Sequence, residues 1–84
     1  MNPEIVKQQF LQAVEDQLQN NQPPETRQTL DRLKDLGYSE SDAKLLIAQC
    51  IAVEFFHTVK DNQPYNNDRF INNLHHLPEF PQDE

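Results

Sequence analysis

The chain is short of glycine, cysteine, tryptophan and positive charge. Of its 84 residues one is Gly, one is Cys and none is Trp. A single glycine excludes a Gly-rich loop that cradles phosphates and disfavours all-β folds built on many tight turns. A single cysteine excludes an intramolecular disulfide framework and fits a reducing compartment. Seven Lys and Arg stand against 14 Asp and Glu, for a net charge of -7. That balance argues against unaided binding to nucleic acid or to an anionic membrane, since both call for clustered cations. No apolar run approaches the ~20 residues that span a bilayer. Met1-Asn2-Pro3-Glu4 has neither the basic stretch nor the apolar run of a secretion signal. The expectation is a small cytoplasmic protein with no nucleic acid and no membrane among its partners.

What the chain has in plenty is amide: 10 Gln and 8 Asn, more than all its acids combined. They alternate with Leu, Ile, Val and Phe at helical spacing, so they serve as a neutral, solvated surface rather than as a low-complexity tract. In the first segment Val6, Phe10, Val14 and Leu18 recur every four residues. This predicts a helix from about residue 3 to 20, with Asn2 as N-cap and Pro3 at its first position. Pro23-Pro24 ends it. A second helix starts near Pro24 and places Leu30, Leu33 and Leu36 on one side. Its stop is the clearest local signal in the chain. Gly37 can take a left-handed conformation, with Tyr38 folding back as in a Schellman cap. Ser39 then caps the next helix, with Asp42 three residues on, leaving a connection of two to three residues. Asp61-Asn62-Gln63-Pro64 breaks the chain again, and a last helix runs from about Asn67 to Leu77.

The third helix, roughly 39 to 60, is apolar nearly all round. One face carries Leu45, Ala48, Ile51, Ala52, Phe55, Phe56 and Val59; the other carries Ala43, Leu46, Ile47, Cys50 and Val53, then Glu54 and His57. A helix of this kind must be covered nearly all round. The fold expected is therefore all-α, a compact four-helix bundle with a long central apolar third helix. It is one domain over residues 1–77, with 78–84 as an acidic, flexible tail. Either the first and last helices flank the third and cover it whole, or three short neighbours leave one face bare; the expectation follows the second. The strip Leu46, Ile47, Cys50 and Val53 is the expected interface, buried by a two-fold homodimer or by another protein.

Chemistry has few candidates. Cys50, Glu54 and His57 fall on one stripe of the third helix, and a thiolate, a carboxylate and an imidazole could form part of a metal site. Glu54-x-x-His57 is half of the pattern of carboxylate di-iron bundles, which need it twice. The plainer reading packs Cys50 as a small hydrophobe and leaves Glu54 and His57 at the wet end of the helix. Cys50 and His57 lie seven helical residues apart, ~10 Å, too far for His57 to act as its base. His75 and His76 are adjacent on a helix, about 100° apart, and suit its C-terminus as cations. Tyr38 and Tyr65 could each hydrogen-bond a ligand. The residues thus favour a non-enzymatic interaction or self-association domain without a cofactor. The alternatives are a metal-binding protein or enzyme using Cys50, Glu54 and His57, and a regulator that holds a basic partner on its acidic surface.

Two resemblances accompany these residues. Leu36-Gly37-Tyr38-Ser39, with Asp42-Ala43 and Leu46, resembles the first loop of ubiquitin-associated domains, whose three helices are short; the long third helix here departs from them, and what is shared is capping chemistry. Glu15-Asp16-Gln17-Leu18, Gln22-Pro23-Pro24, Arg27, Arg32-Leu33, Gly37, Ala43 and Phe70 to Leu77 are similar to a family of short bacterial proteins known only as a domain of unknown function. That resemblance covers nearly the whole chain and implies a bacterial helical protein. Members of that family carry His on the first helix and near the start of the third; Lys7, Leu11, Ser41 and Leu45 stand at those positions here. It implies no activity for this chain.

Overall fold

The computed structural model describes residues 3–79 and 81, with side chains from Lys7 onward. Four helices, α1 (Pro3–Asn20), α2 (Pro24–Asp35), α3 (Glu40–Asp61) and α4 (Asn67–His76), account for its secondary structure, and no strand occurs among the described residues. The fold is all-α, a small four-helix bundle. Its radius of gyration, 12.2 Å, is close to the ~12 Å of a compact chain of this length.

Each helix ends where a local device stops it. At α2 the Gly37 backbone has φ +107°, and Gly37 and Tyr38 donate to the carbonyls of Lys34 (3.0 Å) and Leu33 (3.1 Å). This is the expected Schellman motif, although Leu36 already leaves the helix and the connection spans four residues, 36–39. Ser39 Oγ accepts the Asp42 N–H at 3.0 Å and starts α3. With only one glycine in the chain, asparagine takes the other left-handed positions among the described residues. Asn21 (φ 51°) and Gln22 donate to Leu18 and Gln17 at the end of α1, and Asn62 (φ 52°) ends α3. Asn tolerates this conformation better than other side chains with a Cβ. The Asn2 cap expected for α1 lies outside the described residues, as do Phe80 and residues 82–84 of the expected tail.

The third helix is central, packing against α1, α2 and α4, while among the described residues the α1 and α4 backbones do not approach each other. α1 runs antiparallel to α3. Phe10 meets Phe55 edge-on at 5.4 Å between ring centroids, and further along α1 Glu15 pairs with Lys44. The core combines Val14 and Leu18 of α1, Leu30 and Leu33 of α2, Ala43, Ile47, Ala48 and Cys50 of α3, Phe70 and Leu74 of α4, and Leu77. No helix among the described residues is long and apolar enough to cross a membrane.

The burial of α3 does not leave the expected strip bare, and it draws on both faces, since Ala48 of the other face is buried as well. Ile47 and Cys50, half of the strip read as an interface, are fully buried inside the chain, and Leu46 and Val53 are half-buried. α2 and α4 also pack on α3. The exposed apolar side chains belong to the opposite face, at its C-terminal end.

Candidate functional site

Two features stand out on α3 below its midpoint: a buried polar clamp on one side and an uncovered aromatic cluster on the other. The clamp centres on Glu54, 1% exposed. Arg69 of α4 donates to it twice, Nε to Oε2 at 2.6 Å and Nη2 to Oε1 at 2.9 Å, and the Asn66 N–H donates to Oε1 at 2.9 Å. Burial alone would raise the Glu54 carboxyl. The Arg69 guanidinium and the Asn66 N–H outweigh it and hold the group below the ordinary carboxylate value.

The arrangement follows from how α4 starts. Asn66 is its N-cap, and Asn66 Oδ1 accepts the Arg69 N–H at 3.0 Å. In a capping box the third helical residue is Glu or Gln and bonds back to the N-cap N–H. Here that residue is Arg69, of the wrong charge for the positive end of a helix dipole. Glu54 supplies the missing carboxylate from α3 and neutralises Arg69 in the same step. The other end of α4 is held from α2. Arg32 donates to the carbonyls of Leu77 (2.8 Å) and Leu74 (2.9 Å), a cation where the dipole favours one.

This geometry separates the residues read as a metal stripe. Glu54 is committed to Arg69 and Asn66. Cys50 is buried, its Sγ 3.9 Å from the Leu46 carbonyl. Burial, with the Glu54 charge adding to it, pushes its thiol up to about 12, so it stays protonated at neutral pH. His57 pairs through Nδ1 with Asp61 at 3.1 Å. No group of three His, Cys, Asp or Glu side chains converges among the described residues. The wet-end reading of Glu54 is thereby corrected: Arg69 makes its burial tolerable. His57 does lie toward the solvent, half-buried. His75 and His76 are exposed, His76 Nδ1 lying 2.7 Å from the Asn72 carbonyl.

The aromatic cluster comprises Phe55 (47% exposed), Phe56 (58%) and Val59 (66%). Phe55 bridges Phe10 and Phe56, the latter at 5.9 Å and 71° between ring planes. Beside it an open groove of about 390 Å³ runs between α1 and α3, bordered by Phe10, Ala13, Ile51, Phe55 and Tyr65 among others. Tyr65 leans on Phe70 with ring centroids 5.8 Å apart, and burial, then the Glu54 charge, raises its hydroxyl to about 12. It borders the groove as a neutral phenol. Among the described residues that border this open groove, none pairs a nucleophile with a base.

No family model, curated protein or solved structure matches the chain. The resemblance to a short bacterial family therefore rests on its residues alone.

Proposed function

We propose that this chain is a non-enzymatic bacterial interaction domain that works in a reducing cytoplasm and associates with itself through the C-terminal half of α3. The observation that carries this reading is the exposed cluster of Phe55, Phe56 and Val59. An aromatic side chain carries ~150–250 Å² of buriable surface, so two rings about half exposed leave ~200 Å² in contact with water, and Val59 extends the patch. Patches of a few hundred Å² on small proteins commonly mark interaction sites. Cys50, Glu54 and His57, the residues of the metal-binding or enzymatic alternative, each have other partners, which supports the interaction reading over that one. The reduced, buried Cys50 suits the compartment.

Analytical ultracentrifugation of the purified protein tests the proposal. It predicts a concentration-dependent dimer between ten and several hundred micromolar that Phe56→Asp abolishes without altering helicity. A strict monomer over that range refutes it.

A further inference from the structure

The self-association proposed above leaves open how two copies would meet, and α3 carries a pattern that answers this. Leu45, Gln49, Ala52, Phe56 and Val59 follow one another at steps of four, three, four and three residues. That is the spacing of a coiled-coil seam, which keeps one line of side chains toward a partner helix. Along this line Leu45 and Ala52 are half-buried, and Gln49, Phe56 and Val59 are exposed. None of the five is fully buried by the described part of the chain.

The pattern is symmetric in a way that matters for a homodimer. Leu45 and Val59 lie seven residues either side of Ala52, so an antiparallel pair centred there sets each Leu45 against the partner copy's Val59. Gln49 then falls opposite the Phe55–Phe56 pair. Alanine at the centre lets the two backbones approach closely, as small residues do at helix crossings. Charge follows the same symmetry. Asp42 and Lys60 are eighteen residues apart, five full turns, and so share one side of α3. They lie nine residues either side of Ile51, next to the same centre. Both are exposed, and neither has an ion pair among the described residues. An antiparallel two-fold pair brings Asp42 of each copy to Lys60 of the other, twice.

We infer that the partner for this face is a second copy of the chain, packed antiparallel along α3 about a two-fold axis near Ala52. One flank is joined by two Asp42–Lys60 ion pairs, one toward each end. The 22-residue helix is ~33 Å long, and a strip ~12 Å wide along it offers ~400 Å² per copy. With the Phe55 and Lys60 flanks the pair buries ~1,000 Å² in all, the lower bound for a specific interface, so the dimer is weak, with a Kd in the micromolar range.

The inference rests on the self-association reading, and charge reversal separates the two. Asp42→Lys and Lys60→Asp each turn two attractions into two repulsions and raise Kd about tenfold. An equimolar mixture of the two variants restores both attractive pairs and dimerises as tightly as the wild type. A second readout does not depend on charge. Ala52→Cys under mild oxidation forms a disulfide-linked dimer across the axis, while the wild type, with only the buried Cys50, does not. Wild-type dimerisation with neither rescue on mixing nor cross-linking at residue 52 overturns this packing and leaves self-association standing. A wild type monomeric at several hundred micromolar overturns both.

Discussion

Glu54→Gln is the sharpest test of how this bundle is held together. The substitution keeps shape and volume and removes only the charge. Glu54 accepts three bonds, two from Arg69 and one from the Asn66 N–H, in a site where it is 1% exposed. A glutamine can keep one carbonyl acceptor, but its amide turns a donor toward at least one of those donors. A buried donor left unmet costs ~1–3 kcal/mol, and breaking a buried ion pair by removing one partner costs ~3–5 kcal/mol. The Arg69 side chain is 13% exposed and can relax partly toward water, so a loss of ~2–4 kcal/mol is expected. A chain of this length has about 4–12 kcal/mol in total, so the variant is close to the edge of folding. Urea unfolding followed by circular dichroism at 222 nm reads the loss directly, and the melting temperature falls by ~10–25 °C. A loss below ~1 kcal/mol would refute the clamp as a main stabiliser. A double variant, Glu54→Leu with Arg69→Met, separates the worth of the pair from the cost of orphaning a charge. Replacing both partners with apolar groups recovers most of the loss, whereas two independent contributions would simply add.

The same carboxylate dictates an acid response. Its folded pKa lies below the ordinary value, so its contribution is fully present above the unfolded carboxylate pKa of ~4.3 and fades as pH falls through the folded one. Unfolding midpoints measured from pH 6 down to pH 2 should drop for the wild type through that window, with a smaller drop in Glu54→Gln. Gly37→Ala introduces no clash, since nothing lies within 4 Å of the added Cβ, but the φ of +107° strains any L side chain; a loss of ~1–2 kcal/mol in urea unfolding is expected, and no loss would contradict the Schellman geometry. Cys50, buried and with its thiol raised to about 12, should react with a thiol reagent such as DTNB only after unfolding. Rapid stoichiometric reaction of the native protein would show that the core opens around it.

The helix boundaries were legible because their signals are local. Pro24, Gly37 and Ser39 act on the backbone within a turn, whatever the rest of the chain does. The orientation of α3 was not legible for the opposite reason. With apolar residues on both faces, its pattern does not say which one the neighbours cover. Glu54 was read as a marker of solvent because its partner lies fifteen residues away on another helix. A signal was present all the same. Arg69 in the first turn of α4 opposes the helix dipole, and Glu54 interrupts an otherwise apolar stretch. Each is unfavourable alone, and together they ask to be paired. Arg32 gave no comparable hint, since an arginine on an amphipathic helix is ordinary until a carbonyl end is brought to it. The left-handed Asn21 and Asn62 sit in Asn-rich breaks, where several residues compete for one position.

α4 owes its existence to residues outside itself. Ten residues are too few to hold a helix in water unaided, and both of its ends are finished by side chains from α2 and α3. Local opening that withdraws Arg32 or Glu54 therefore releases α4 as well, and its amide protons should exchange ahead of those in the α2–α3 hairpin. The last helix is in effect a guest, seated by its hosts at both ends.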